Sequence, residues 1–273
     1  MKRFECLYAA ARRPTDREIL REMDIHGLPW EKLHGGYFAD PVIASFFVKK
    51  IIRIMKAFTP DVLVDLAGGT GYILNEVSKY HMNPDMRFVN IDLSGKQLSC
   101  NNNPTISNIR ACISDFKRSA IDAHGKQFLF IMRSAFHYLG KDRIKPILEH
   151  LRSQMKKGEF FIHQSASFAF RKDVGCINSL YKQMETEKWY PTVRELRKLL
   201  EDAGWSIVSV YRAPSLPLSS DDLAVRYRLS KEVVMRIRKY MTGSFHEIEN
   251  IFIKKPGGFC AYLHYYIYTC VAV

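Results

Sequence analysis

Two rhythms of hydrophobic and polar positions alternate along the chain. Over 41–58, apolar residues recur at helical spacing at Val42, Phe46, Phe47, Ile51 and Met55. Lys49, Lys50, Arg53 and Lys56 fall mostly on the opposite face, which predicts an amphipathic helix packed on a core. Upstream, Thr15 followed by Glu18 fits a capping box for a short helix through Glu22, ending near Gly27-Leu28-Pro29. From Val62 onward the pattern changes to short apolar runs separated by helix-length stretches, as in a mostly parallel sheet with crossover helices. The predicted strands are 62–66, 87–92, 109–113, 128–133, 159–164, 205–211 and 259–271. Helices are predicted near 71–80, 94–102 and 142–155, and over 193–203 with Gly204 as the C-terminal cap.

The stretch between the last two strands is too long for a hairpin loop and should carry structure of its own. Ser219-Ser220-Asp221-Asp222 can cap one helix, 230–241 reads as another, and Gly257-Gly258 returns the chain to the sheet. The expectation is a doubly wound, seven-stranded α/β sheet over 59–273. Residues 1–58 are read as an N-terminal helical lid, and insertions near 165–192 and 213–258 as folding over the strand ends to exclude water.

Composition narrows the picture modestly. At 273 residues and 47% hydrophobic, the chain can bury one large core. The longest apolar stretch, 259–273, is too short to cross a bilayer and contains His264; Arg12-Arg13 interrupt any leader-like run. A cytoplasmic protein is expected. Six cysteines show neither a C-x-x-C pair nor zinc-ligand spacing, so free thiols and no metal are expected. A net charge of +13 suits anionic partners without choosing among them, and the oligomeric state stays open, a homodimer included.

The chemistry concentrates where the first strand ends. Val62-Leu-Val-Asp65-Leu-Ala-Gly68-Gly69-Thr70-Gly71-Tyr72 is an apolar strand closing in an acid and a glycine-rich turn before a helix, a turn whose backbone can approach a ligand. A dinucleotide site would want a third glycine three residues after Gly71, where this chain has Leu74, so the fit to a nicotinamide cofactor is imperfect. Asp92, at the end of the second strand beside Leu93, can accept from two adjacent ribose hydroxyls.

Strand, acid, Gly68-Gly69-Thr70-Gly71 and helix, with Asp92 in the ribose position, resemble class I S-adenosylmethionine-dependent methyltransferases over about 60–212. The resemblance implies a Rossmann-like sheet with its last strand antiparallel and S-adenosylmethionine as cofactor. It implies cofactor contacts from Asp65 at the methionine end, from Ser114-Asp115-Phe116 at the adenine, and from Arg133 and Ser134 after the fourth strand. Phe130-Ile-Met-Arg133-Ser134-Ala-Phe136-His137-Tyr138 is similar to small-molecule O-methyltransferases, which makes His137 the candidate base. An Asp-Trp pair commonly follows that histidine, whereas Tyr138-Leu139 follows here. The alternative for His137 is a hydrogen bond within its own loop or a contact to the cofactor.

His34, Tyr37, Tyr138, His163 and Gln164 are candidate substrate contacts, and His264, in an alternating strand, reads as structural. The expected activity is methyl transfer to oxygen or nitrogen of a small molecule. A nucleic-acid methyltransferase is the rival, on Arg226, Arg228, Lys231, Arg236, Arg238 and Lys239 and on Lys254-Lys255. Neither an Asn/Asp-Pro-Pro-aromatic run nor a Pro-Cys nucleophile follows the fourth strand. A cofactor-binding scaffold without catalysis is the third reading.

Overall fold

The computed structural model describes residues 34–80, 85–121 and 125–273. The helix read around Thr15, and with it most of the expected lid, lies outside these residues. Strands β1 (Val62–Leu66), β2 (Arg87–Asp92), β3 (Ile106–Arg110), β4 (Phe128–Arg133), β5 (Phe160–Ala166), β6 (Trp205–Ser219), β7 (Phe252–Lys255) and β8 (Gly258–Ala272) form one sheet. The order is β3-β2-β1-β4-β5-β8-β6, with β7 paired to β8. Strands β1 to β5 are parallel, and β8 runs antiparallel between β5 and β6. The doubly wound sheet is as expected, with β7 as an extra short strand.

Helices cover both faces. On one side lie α1 (Pro41–Phe58) and α2 (Tyr72–Ser78), packed with Leu63, Leu129, Ile131 and Ile162. On the other lie α4 (Ile144–Ser153) and α6 (Val193–Asp202), packed with Val62, Val64, Phe128 and Phe130; a single turn, α3 (Gly95–Leu98), follows β2. The two lists alternate along β1 and β4 because successive side chains leave a strand on opposite faces, and all five residues of β1 are buried. Asp40 starts α1 by accepting from the N–H groups of Val42 and Ile43, ahead of Pro41 in the first turn. The buried stripe of Ala44, Phe47, Val48, Ile51, Ile52 and Met55 packs α1 on the core, as its amphipathic spacing predicts.

Three expectations shift. The third strand is 106–110 rather than 109–113, because pairing of Phe88 to Ile106 through Asp92 to Arg110 fixes its register. As an edge strand it accommodates exposed Ser107 and Asn108, which an apolar-run criterion rejects. β6 continues past Tyr211 to Ser219 despite Pro214 and Pro217, since an edge strand can turn a missing N–H outward and a register shift between Ala213 and Leu216 takes up the irregularity. The insertions form α5 (Arg171–Gln183), α7 (Ser220–Arg226, capped by Ser219) and α8 (Lys231–Ser244), which contribute to the core that also holds β8.

Glu159 locks the end of the sheet remote from the strand C-termini. Its carboxylate is buried and accepts from the N–H groups of Phe128 (2.8 Å) and Lys156 (2.7 Å) and from both terminal nitrogens of Arg118. Glu159→Ala removes the shared acceptor of two backbone amides and the carboxylate partner of the half-buried Arg118, and is expected to lower stability by about 3 kcal/mol in a denaturant titration.

Candidate functional site

The strand order reverses between β1 and β4, so the loops leaving their C-terminal ends diverge and open a crevice there. The cleft at that point is lined from β1 by Asp65 and the Ala67–Thr70 turn, from β2 by Asp92, Leu93 and Ser94, and from β4 by Arg133 and Ser134. Phe38, Ala39, Tyr72, Gln97 and Tyr138 complete the wall.

The glycine turn is tight enough that two of its members admit no side chain. A Cβ on Gly68 would sit 2.3 Å from Asn90 Oδ1 and 2.6 Å from Asp65 Cγ. Gly71 has φ +74°, and a Cβ there would lie 2.9 Å from Asn101 Nδ2. Asp92 holds the turn from the front: Oδ2 accepts from the Gly69 N–H at 2.9 Å and Oδ1 from the Ser94 N–H at 2.8 Å. Bracing the turn in this way is compatible with accepting from a diol, because a carboxylate offers about four lone-pair sites.

At the other end of the cleft, Asp65 is 1% exposed and its Oδ1 has no hydrogen-bond partner among the described residues. Burial, reinforced by Asp92 and opposed by Arg133, lifts its carboxyl to about 8. Arg133 donates from Nη1 to the Phe38 carbonyl at 2.8 Å, and its guanidinium lies 5.4 Å from the Phe38 ring centroid. Its Nε and Nη2 are buried without partners among the described residues. Burial pushes the guanidinium pKa down, against the pull of Tyr37, Tyr265, Tyr72 and Asp65. Ser134 adopts φ +60° and donates its N–H to the Gln164 carbonyl at 2.7 Å, a strained turn that directs the chain along the cleft floor.

Other expected residues lie elsewhere. Because β3 ends at Arg110, Ala111, Cys112 and Ile113 reach the cleft instead of Ser114-Asp115-Phe116. Phe116 is in the core, edge-on to Phe130 at 5.8 Å, and Ser114 shares a hydrogen bond with the Cys112 thiol. His137 is buried behind the wall, stacked on Tyr190 at 5.2 Å and tilted against Tyr138 at 4.0 Å, so the cleft meets Tyr138 and not the imidazole. His163 is stacked on Tyr268 at 4.7 Å, bonded to Ser165, and pushed down to about 3 by burial, which makes it a neutral core group. Gln164 is fully buried beside it. Tyr37 is stacked under Tyr265, and its neighbours Phe38 and Ala39 form the lip; His34 lies 6.2 Å from the Phe38 ring.

Neither helical insertion lines the cleft; Lys188 reaches it indirectly, 4.5 Å from the Tyr138 ring centroid. In the late insertion, Arg226 is buried, Arg236 pairs with Glu185 and Arg238 with Asp221, which weakens the phosphate-tracking reading of that cluster. Among the described residues there is no cluster of His, Cys, Asp and Glu fit for a metal ion and no helix long and apolar enough to cross a membrane.

The sequence reading missed Phe38, Ala39, Tyr72, Gln97, Cys112, Ile113 and Asn90. Asn90 carried a signal, since it stands two residues before Asp92 and so on the same face of β2.

No protein-family model and no curated protein sequence matches the chain. Solved structures do. A candidate methyltransferase from Bacillus halodurans superposes with a TM-score of 0.63 at 14% identity, over 82% of this chain and 97% of that one. A candidate methyltransferase in complex with the Haloferax volcanii activator Trm112 gives 0.53 at 15% identity, over 95% and 97%. Geranyl diphosphate methyltransferase in complex with S-adenosylmethionine gives 0.51 at 12% identity, over 84% of each chain.

Proposed function

We propose, from the premise that the chain has the class I methyltransferase fold, that it binds S-adenosylmethionine and transfers its methyl group to oxygen or nitrogen of a small organic acceptor. One observation carries the cofactor assignment. Among the described residues, Asp65 Oδ1 is a buried acceptor without a partner and Arg133 Nε and Nη2 are buried donors without partners, and both residues line the cleft that also holds the glycine turn and Asp92. An α-amino-acid zwitterion joined to a nucleoside matches that set: ammonium toward Asp65, carboxylate toward Arg133, ribose hydroxyls toward Asp92. Leu93, Cys112 and Ile113 offer an apolar slot for the base.

S-adenosylmethionine, when bound, supplies an electrophilic methyl group. The chain's share is to orient and to exclude water: Phe38, Tyr72 and Tyr138 give the acceptor an aromatic wall, and the Tyr72 hydroxyl donates to the Ala39 carbonyl at 2.9 Å, tying the lip to α2. Orientation alone can carry such a displacement without a dedicated base. His137→Ala is accordingly expected to leave cofactor affinity unchanged in calorimetry and to lower the melting temperature through loss of the Tyr190 stack.

The test is calorimetric titration with S-adenosylhomocysteine beside NAD and a short RNA. Micromolar binding of the first alone supports the reading; tight NAD or RNA binding without it overturns the reading. The pH profile sharpens the test. Asp65 is largely protonated below about 8 in the free protein, and an ammonium partner favours its carboxylate. Affinity should therefore rise with pH toward about 8 and then level off. The same raised pKa makes the ligand-free protein bind one more proton than the unfolded chain between about 4 and 8. Asp65 thus costs the free protein stability as pH rises through that window.

A further inference from the structure

Behind the glycine turn, on the side away from the cleft, lies a connected set of asparagines. Asn90 is fully buried in β2, level with Asp65 on β1 and Asn108 on β3. It donates from Nδ2 to the Gly69 carbonyl at 3.1 Å and to Asn108 Oδ1 at 3.2 Å. Asn101 donates to the same Asn108 oxygen at 3.2 Å, Asn75 on α2 to Asn101 at 3.5 Å, and Asn103 to Asn75 at 2.8 Å. Two acceptors at one nitrogen fix the orientation of the Asn90 amide: flipped, its oxygen would face two other oxygens.

The Gly69 peptide unit is thereby held from two directions by one strand. Asp92 takes its N–H and Asn90 its C=O, two residues apart on one face of β2. A polar residue buried between two strands costs free energy unless satisfied. At Asn90 both bonds run from Nδ2, to the turn carbonyl and the neighbouring asparagine, while Oδ1 is buried without a partner among the described residues.

We propose that Asn90 is a positioning residue for the cofactor: its amide sets the orientation of the Gly69 peptide on which binding depends, and Asn108, Asn101 and Asn75 keep that amide in place. This rests on the cofactor reading above. An amide is required there, because a carboxylate would face two oxygen acceptors and add a third negative charge beside Asp65 and Asp92.

S-adenosylhomocysteine affinity of the full chain is to be measured for wild type, Asn90→Leu, Asn90→Asp, Asn108→Ala and Asn103→Ala, each well below its own melting temperature. Asn90→Leu, nearly isosteric, should bind roughly tenfold weaker or worse. Asn108→Ala, on the exposed edge strand, should show a smaller loss of the same sign and keeps the test available if Asn90→Leu fails to fold. Asn103→Ala, at the outer end of the network, should lower the melting temperature without changing affinity. For Asn90→Asp, the deficit relative to wild type should shrink as pH falls from 8 to 6, since a protonated carboxyl can donate to the Gly69 carbonyl. Asp65, level with position 90, titrates in the same window, so the pH series is also run on Asn90→Leu, whose deficit should stay constant across it. Wild-type affinity in Asn90→Leu and Asn108→Ala, or a deficit in Asn90→Asp that ignores pH, overturns the assignment. No binding by the wild type is a different outcome, which removes the cofactor reading and this inference with it.

Discussion

Gly68→Ala is expected to reduce S-adenosylhomocysteine affinity by about two decades while leaving the protein folded. The added Cβ would fall 2.3 Å from Asn90 Oδ1 and 2.7 Å from Asp65 Oδ2. Neither neighbour can yield at low cost. Asn90 is held by two hydrogen bonds and Asp65 belongs to a strand with every residue buried. The turn must move instead, toward the cleft. Overpacking of this kind costs about 3 kcal/mol at the upper end, and one decade of affinity corresponds to about 1.4 kcal/mol. Affinity within a factor of a few of wild type, measured by calorimetry on a variant with a normal melting curve, would show that the turn is not the ligand platform.

Arg133→Met should weaken S-adenosylhomocysteine binding by a similar factor and 5′-methylthioadenosine, which lacks the amino-acid end, by much less. The buried Nε and Nη2 have no partner among the described residues, so a carboxylate placed there gains charge-assisted hydrogen bonds at a desolvation cost already met in folding. Each such bond is worth about 1.5–3 kcal/mol. The substitution would also remove the bond to the Phe38 carbonyl, which loosens the lip. That effect would weaken both ligands alike, so the ratio between them isolates the carboxylate. Equal losses for the two ligands would assign Arg133 to the lip alone.

The two predictions probe different walls of one cleft, and they depend on the sequence in different ways. The glycine turn was legible because its chemistry is local: an apolar strand, Gly68, Gly69 and Gly71 are contiguous, and Asp92 follows at the end of the next strand. Arg133 and Ser134 were legible for the same reason, since they end a long apolar run. The cleft lining after the third strand falls three residues earlier than the sequence placed it. Its position depends on where β3 stops, and pairing with β2 decides that, while the apolar run suggested otherwise.

His137 and His163 show a second limit. Both follow the right strands, and sequence spacing alone cannot say on which side of a wall a ring will rest. Tyr190, from the segment between α5 and α6, takes the His137 ring out of the cleft, and Tyr268, on β8, takes that of His163. Those partners lie far along the chain, where no local rule reaches.

By itself, then, the sequence determined the doubly wound sheet, the glycine turn and the acids at the ends of β1 and β2. These follow from periodicity and from contiguous residues, whose energetics are set by near neighbours. Only the tertiary structure decided the register of β3, the length of edge strand β6 and the asparagine network from Asn75 to Asn108. It also left Asp65 and Arg133 buried in one cleft with unused hydrogen-bonding capacity. Each of these is set by which distant groups share a dry interior, and burial there makes a hydrogen bond, or its absence, count for far more than it does along an exposed chain.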